Sequence, residues 1–334
     1  MIRPLRARRR TPGATLLSYI GLIALFALIS VFSPGFADPN HITTLLIVAA
    51  FTGIAAIGQT WVIIGGGIDL SVPWTLNCAA VMLTALARGQ DGMLVWIIPL
   101  ILLGGVLVGV VNGVGIAILR VSPIVMTLST NIVLQGLLFI ATKGFPPPPT
   151  PRAVVWLATG RMGPIPVILV LWALLAVTVV LIERRTSFGR YLYAVGTSPT
   201  VATFSGVPTA RTTIATYAVS GAGAALAGIL LDGYARQSYL GMGDPYLFTT
   251  IAAVAIGGAS ILGGSGSYLG TIAGALILTE LTGLLPILKL ESGYLSVIYG
   301  VVILLTVALA APTTQRLIAR LLARPDAASA IVSD

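Results

Sequence analysis

About ten apolar runs divide this chain, and each comes close to the length that crosses a membrane as one α-helix. A spanning helix needs about 20 mostly apolar residues. The chain is 57% hydrophobic and 9% charged, whereas a soluble domain has about 25% charged residues. So few charges cannot cover a water-soluble globule. The sequence predicts an all-α polytopic membrane protein with runs at 15–33, 43–64, 72–87, 94–119, 124–141, 165–182, 212–231, 246–262, 268–286 and 293–311.

Lysine and arginine residues predict the orientation of these runs. If the N-terminus is cytoplasmic, thirteen of them lie on inner segments and six on outer segments, as the positive-inside rule requires. Both termini are then cytoplasmic, and a basic tail at 1–14 and a tail at 312–334 flank a membrane domain at 15–311. The first run exceeds the roughly 7–15-residue core of a secretory signal, so we expect it to be retained. The net charge of +9 follows this topology, and we expect no nucleic-acid partner.

A polar, glycine-rich segment separates the second run from the third. It reads Gly65-Gly66-Gly67-Ile68-Asp69-Leu70-Ser71. Each glycine lowers helix stability by about 1 kcal/mol relative to alanine, and an aspartate at membrane depth costs about 2.5–3.5 kcal/mol. Such backbone is tolerated only where it is buried in protein or lines a wet cavity. The segment therefore predicts a broken helix in a protein that moves a solute.

The sequence lacks the residues that most catalytic and metal sites use. Cys78 is its only cysteine and His41 its only histidine, so neither a thiol cluster nor histidine-based catalysis is available. No G-x-x-x-x-G-K-[ST] phosphate loop occurs in it. We expect no catalytic residue, no metal site and no cofactor bound by this chain.

Two connecting loops are long. The outer loop, at about 142–164, contains Pro146-Pro147-Pro148-Pro149, which favours extended polyproline II structure. It is either a stiff connector or a docking surface for an external partner. The inner loop spans about 183–211, and its residues 200–207 predict a short helix that ends at Gly206. Thr197, Ser198 and Pro199 are suitable residues for its N-terminal cap.

The glycine-rich segment is part of a longer motif that resembles a known family. Residues 59–72 read Q-T-W-V-I-I-G-G-G-I-D-L-S-V. This resembles the G-x-T-x-V-I-x-x-G-G-I-D-L-S-V-G signature of ribose-type permease subunits of bacterial ABC sugar importers, in the binding-protein-dependent transport inner-membrane component family. The resemblance covers about residues 45–310, and further matches follow in order at 111–113, 185–190, 205–207, 220–221, 227–229, 251–258 and 263–271.

Three places depart from the family pattern. Pro73 replaces a glycine and is expected to stiffen the start of the third run. Ser198 and Pro199 stand near the place of an Asn-Glu pair in the inner loop, which bears on the ATPase partner. Residues 246–250 read Y-L-F-T-T where many members have Glu-Leu-Asp, which bears on the substrate or the gate.

The resemblance implies a permease subunit of the bacterial inner membrane, embedded in lipid, that translocates a neutral sugar such as a pentose or hexose. A second permease subunit, identical or closely related, completes the pathway. A periplasmic sugar-binding protein delivers the solute. Separate ABC ATPase subunits bind ATP and Mg and dock on the inner loops, so this chain is not itself an enzyme.

The polar residues expected at membrane depth are candidates for the pathway or the gate. Asp69 and Glu280 are the only acidic residues expected at mid-span. Asp69 either caps backbone N–H groups where the helix restarts, with help from Ser71, or touches the solute or acts in the gate. Glu280 has either a structural or a pathway role. The amides either bond between helices or line the pathway. The candidates are Gly66, Asp69, Ser71, Asn77, Asn112, Asn131, Gln135 and Glu280.

The short helix of the inner loop is the candidate site for coupling to the ATPase. Phe204 is expected to be a docking side chain, because this loop offers it little to pack against. The coupling candidates are Thr200, Val201, Ala202, Phe204, Ser205, Gly206 and Val207.

Other functions remain open to this sequence. A self-sufficient secondary transporter or channel needs an ion relay, for which Asp69 and Glu280 are the only basis. A membrane-embedded enzyme lacks a catalytic constellation. Permeases for vitamins or metal chelates share the ten-span architecture, but the motifs resemble those of the sugar permeases more closely.

Overall fold

The structure, a computed structural model, describes residues 12–143, 148–289 and 293–310. Most of the N-terminal tail, the C-terminal tail, and Pro146 and Pro147 lie outside the described residues. The described residues form thirteen α-helices, which in chain order are α1 (Pro12–Phe32), α2 (Pro39–Ile64), α3 (Val72–Ala87), α4 (Leu94–Ala117), α5 (Pro123–Thr142), α6 (Arg152–Thr159), α7 (Val167–Arg185), α8 (Ser187–Thr197), α9 (Pro199–Phe204), α10 (Thr209–Ala235), α11 (Tyr246–Ile256), α12 (Tyr268–Ile287) and α13 (Gly293–Ala310).

Every predicted apolar run is a helix. Seven of the described helices are long and apolar enough to cross a membrane, and shorter apolar stretches lie at Val72–Ala87, Tyr246–Ile256 and Ser296–Leu305. The prediction of an all-α polytopic membrane protein is confirmed. The eighth run was predicted too long, because α11 ends at Ile256 rather than at 262. Gly257 and Gly258 follow Ile256 and break the helix, and Gly258 has a φ of +84°.

The two long loops contain helices that the apolar runs did not reveal. In the outer loop, α6 is followed by a small antiparallel hairpin of β1 (Arg161–Met162) and β2 (Ile165–Pro166). In the inner loop, α8 precedes the predicted short helix. Both α6 and α8 are amphipathic, and a search for uniformly apolar segments misses such helices.

Helix α2 is the centre of the fold. Every residue from Ala49 to Ile64 is buried, and α2 packs against α7, α10, α11 and α12. A helix enclosed on all sides needs no polar face, so its sequence is apolar around the whole circumference. By contrast, α1 and α5 are mostly exposed and carry apolar side chains outward, as lipid contact requires.

Glycines on α4 allow close contact with α10. Gly105 lies against the backbone of Gly221, and Gly109 and Gly113 lie against α10 at Tyr217 and Ile214; a Cβ at any of the three would overlap these atoms. Small residues four apart let two membrane helices approach closely, and these three glycines allow that approach here. Gly104 faces open space instead.

Several helix ends carry a cationic residue in the left-handed backbone region. A cation there complements the negative end of the helix dipole. The described non-glycine residues with positive φ are all of this kind, namely Arg88, Arg120, Lys143, Arg236 and Lys289.

Candidate functional site

The predicted break in the membrane helix is present at residues 65–71. Helix α2 ends at Ile64, α3 begins at Val72, and the backbone between them is irregular. Gly66 has a φ of +85°, a conformation that costs glycine little. A Cβ on Gly67 would overlap the Tyr217 hydroxyl. The glycines therefore allow both the turn and the close approach of α10.

A chain of hydrogen bonds leads to the Asp69 carboxylate, which is 2% exposed. Its Oδ1 accepts from the backbone N–H of Ser71 at 2.9 Å and from the Ser71 hydroxyl at 2.6 Å. Asn112 Nδ2 on α4 donates to the Ser71 hydroxyl at 2.9 Å, and the Thr130 hydroxyl on α5 donates to Asn112 Oδ1 at 2.6 Å. Three predicted candidates are thus brought together, and Thr130 is a member that the sequence analysis missed.

Helix α5 also binds the backbone of the broken segment. The Leu70 N–H donates to the Thr127 hydroxyl at 3.0 Å, and the Trp74 N–H donates to Asn131 Oδ1 at 3.4 Å. Trp74 lies in the first turn of α3, whose N–H groups have no partner within the helix. The interpretation of Asp69 and Ser71 as the cap is therefore wrong in part. Asp69 binds the N–H of Ser71, while the Ser71 hydroxyl binds a carboxylate and no backbone N–H, and Asn131 binds the N–H of Trp74 in the first turn.

The remaining polar candidates lie outside this network. Asn77 Oδ1 accepts from the Gly243 N–H at 3.3 Å, and its Nδ2 is buried without a partner among the described residues. Gln135 is half-buried and forms no hydrogen bond to a described residue. Glu280 on α12 is 7% exposed and faces protein, and its Oε2 has no described partner.

Two further carboxylates are buried, both near helix ends rather than at mid-span. Glu183 is 2% exposed and lies in the last turn of α7, and Asp232 is fully buried in α10. Both helices extend beyond the predicted runs, which ended at 182 and 231, so the apolar-run boundaries placed these residues outside the membrane. Asp232 accepts a hydrogen bond from the Thr150 hydroxyl at 2.9 Å.

A second irregular segment, residues 257–267, touches the first. It joins α11 to α12, and the Gly264 N–H donates to the Ile64 carbonyl at 2.8 Å. A Cβ on Gly263 would lie 2.9 Å from the Gly66 Cα and 2.8 Å from the Gly196 carbonyl oxygen. The glycine-rich run at 263–266 thus forms turns and irregular backbone between two helices.

The inner-loop helices abut both irregular segments. The backbone of Gly196, near the end of α8, lies so close to the Ile64 carbonyl that a Cβ would overlap it. The Glu183 carboxylate connects α8 to α12. Its Oε1 accepts from the Tyr193 hydroxyl on α8 at 2.7 Å, and its Oε2 accepts from the Tyr268 N–H of α12 at 3.0 Å. A cavity of about 280 Å³ separates residues 65–67 from α9 and the start of α10.

The short helix predicted in the inner loop is present as α9, although it ends at Phe204, two residues before Gly206. Helix α9 has Ser198 as its N-cap, which accepts from the Val201 N–H at 3.4 Å, and Pro199 in its first turn. Gly206 follows it with a φ of +78°. The Phe204 side chain is 89% exposed, whereas Ala202 is 4% exposed and faces the protein. Of the other candidates, Thr200, Val201, Ser205 and Gly206 are exposed and Val207 is half-buried.

Metal chemistry finds no support in the geometry. Among the described residues, no three His, Cys, Asp or Glu side chains come together as a metal ion would need.

Residues 41–307 match the protein family described as "Branched-chain amino acid transport system / permease component". The chain belongs to this family. As a permease it is a multi-pass membrane protein, and the resemblance noted from its motifs is confirmed by its relatives. The ribose import permease protein RbsC of Bacillus subtilis (strain 168) is 34% identical over 299 residues, which are 87% of this permease and 91% of the relative.

Two other relatives are also similar over most of their length. The ribose import permease protein RbsC of Escherichia coli (strain K12) is 32% identical over 294 residues, covering 87% of this permease and 91% of that protein. The autoinducer 2 import system permease protein LsrD of Yersinia pseudotuberculosis serotype O:3 is 34% identical over 266 residues, covering 76% of this permease and 78% of the relative. No solved structure matches this permease.

Proposed function

We propose that this chain is the permease subunit of an ATP-driven importer for a neutral, hydroxyl-rich solute of the pentose or hexose class. It lies in the bacterial inner membrane with about ten spans and both termini in the cytoplasm, in the orientation that the positive-inside rule favours. A periplasmic binding protein delivers the solute, and a second permease subunit, identical or related, completes the pathway. A partner ATPase binds and hydrolyses ATP, and this chain contributes no catalytic residue, metal or cofactor.

One observation carries this proposal: the exposed helix α9 is joined through α8 to both irregular membrane segments. Phe204 on α9 is 89% exposed, as expected of an aromatic anchor that a partner protein covers. Gly196 contacts the backbone at Ile64 and Gly263. Movement of α9 by the ATPase therefore reaches residues 65–71 and 257–267 through direct contact.

The Asp69 network then acts as a gate element. It holds residues 65–71 to α4 and α5 by hydrogen bonds. Hydrogen bonds between membrane helices are worth about 0.6 kcal/mol on average, so the segment is fixed yet can be released. A sugar stripped of water needs replacement partners worth about 1–3 kcal/mol each, and a polar pathway supplies them without a fixed positive charge.

Replacing Phe204 tests the proposal. Phe204→Asp in the tagged full-length chain removes the anchor without touching the core. We expect ATP-dependent sugar uptake to fall at least about tenfold, because loss of an interface aromatic costs about 2 kcal/mol or more, and the ATPase to stop co-purifying. The matched control is Met93→Asp, at a 54% exposed apolar residue in the connection between α3 and α4, which should change neither.

Either of two outcomes contradicts the proposal. Unchanged uptake in Phe204→Asp places the coupling elsewhere. A stable native complex that contains no ATPase, with uptake driven by an ion gradient, identifies a secondary transporter and directs attention to Asp69 and Glu280.

A further inference from the structure

A large cavity lies beside the middle of α2, away from the broken segment. Its volume is about 680 Å³, within the range of about 300–1,000 Å³ that small-molecule sites occupy. It is enclosed by α2, the end of α10, the segment before α11, and α11, α12 and α13. Thr52 on its wall is twelve residues from Ile64, or about 18 Å along the helix. In the proposed orientation the cavity occupies the outer half of the membrane.

Aromatic rings line much of this cavity. Tyr239, Tyr246, Phe248 and Tyr299 all contribute to its wall. The face of an aromatic ring is electronegative, and the C–H groups of a sugar ring carry partial positive charge, so the two surfaces stack favourably. Aliphatic side chains alone would fill the cavity walls equally well but would not orient a ring.

Hydroxyl groups without partners accompany the rings. Tyr239, Tyr246, Tyr299, Thr52 and Ser296 line the cavity, and their hydroxyls form no hydrogen bond to any described residue. Each of these hydroxyls both donates and accepts. Groups of this type match a ligand that also donates and accepts at several points.

Backbone-bonded threonines add acceptors to the same wall. The hydroxyls of Thr249, Thr279 and Thr282 donate to backbone carbonyls one turn earlier, at 2.6, 2.9 and 2.8 Å. Their lone pairs stay available to a ligand's hydroxyl protons.

The charge of the lining excludes an anionic ligand. Asp244 is its one acidic residue, and no lysine, arginine or histidine lines the cavity among the described residues. An anion would meet a carboxylate and no compensating charge, whereas a neutral polyol meets rings, hydroxyls and one acceptor carboxylate at the rim.

We propose that this cavity binds the neutral polyhydroxylated solute within the permease, before the solute reaches the Asp69 network. The site rests on the proposed function and adds to it a solute-binding position in the permease itself. One sugar ring stacks on the tyrosines, and its hydroxyls replace lost water contacts with those of Thr52, Tyr246 and Tyr299. The site therefore contributes to the choice of solute.

Conservative variants measure the contribution of single hydroxyls. The assembled importer, with its ATPase and binding protein, is reconstituted and tested with a panel of radiolabelled pentoses and hexoses. For the sugar transported best, Tyr246→Phe and Thr52→Val are each expected to raise the KM for uptake about three- to tenfold, the loss of one hydrogen bond, with the complex still assembled. Thr44→Val, an exposed threonine two turns earlier on α2, is the matched control and leaves KM unchanged.

Cysteine protection locates the solute directly. Cys78 is the only native cysteine, so Cys78→Ala provides a background for Ser296→Cys in the cavity and, as a control, Gln90→Cys in the exposed connection between α3 and α4. A membrane-impermeant maleimide should label both in the absence of sugar. The transported sugar should slow labelling of Ser296→Cys at least about threefold and leave Gln90→Cys unaffected.

The outcomes separate this site from the proposed function. If no sugar of the panel is transported, the proposed function fails and the site with it. Sugar transport with unchanged KM in both hydroxyl variants and no protection of Ser296→Cys overturns the site alone. Ser296→Cys that labels only after lipid is extracted identifies an acyl chain as the occupant and also overturns it.

Discussion

The side-chain amide of Asn112 donates a hydrogen bond to the hydroxyl of Ser71 at 2.9 Å. The Ser71 hydroxyl donates its only proton to Asp69 at 2.6 Å, so its oxygen can only accept in the hydrogen bond with Asn112. Each hydrogen bond therefore has one direction, from Thr130 through Asn112 and Ser71 to the carboxylate. This series of hydrogen bonds connects α5, α4 and the broken segment, so a change at any one of its residues affects the position of all three elements.

Replacing Asp69 tests whether this hydrogen-bond network needs an acceptor oxygen at Asp69 or its negative charge. Asp69→Ala leaves the Ser71 N–H and hydroxyl without an acceptor, which costs about 1–3 kcal/mol for a buried group. Asp69→Asn keeps one acceptor oxygen. We expect the thermal unfolding midpoint in detergent to fall in the order wild type, Asp69→Asn, Asp69→Ala, and equal midpoints for the two variants would contradict a structural role for that oxygen.

The sequence predicted the positions of the helices in this permease better than it predicted the hydrogen bonds between them. Apolar runs located the membrane helices because burial in lipid demands them, and the glycines and Asp69 located the break because an intact helix does not tolerate them. The roles of Thr127 and Thr130 were not predictable. Threonine is common in membrane helices, and only the packing of α5 against residues 65–71 shows which ones bind that backbone.

The buried carboxylates show the same limit. Glu183 follows an apolar run and precedes two arginines, a pattern typical of a solvated helix end. Glu183 is buried because it packs against α8 and α12. Helix α8 was not predicted from the apolar runs, and α12 is distant in the sequence. Helix α9 was predictable because its N-cap serine, first-turn proline and terminal glycine are local signals.

Gly196→Ala tests contact between the coupling helices and the membrane segments. A Cβ at this position would overlap the Ile64 carbonyl, and overpacking of this kind costs about 1–3 kcal/mol. We expect the ATPase to co-purify as in the wild type while sugar uptake falls at least about fivefold. Gly21→Ala on α1, where a Cβ meets nothing within 4 Å, should leave both unchanged; wild-type uptake in Gly196→Ala would exclude this contact from coupling.

Adjacent glycines on α4 offer a paired test of helix packing. Gly105→Ala places a methyl group against the Gly221 backbone, whereas Gly104→Ala meets nothing within 4 Å. We expect Gly105→Ala to lower stability by about 1–3 kcal/mol, and Gly104→Ala to match the wild type or exceed it, since alanine favours helix by about 1 kcal/mol. Thermal unfolding in detergent measures both, and similar losses in the two variants would contradict the close approach of α4 and α10.

Glu183 is expected to couple α8 to α12 through its two oxygens, which bind the Tyr193 hydroxyl and the Tyr268 N–H. A double-mutant cycle of Glu183→Ala and Tyr193→Phe isolates the first of these contacts. Glu183→Ala should lower stability by about 1–3 kcal/mol because it leaves a buried N–H unpaired, and the cycle should give a coupling energy of about 0.5–3 kcal/mol.

Thr178→Ala, an exposed site on the same helix, controls for changes to α7 itself and should be neutral. A cycle that sums to zero would mean that Glu183 and Tyr193 act independently. In that case Glu183 does not act on α8 through Tyr193, and Glu183→Ala should reduce stability without reducing the uptake that each ATPase cycle drives. A positive coupling energy together with reduced uptake per ATP hydrolysed places Glu183 in the path between the ATPase and the membrane segments.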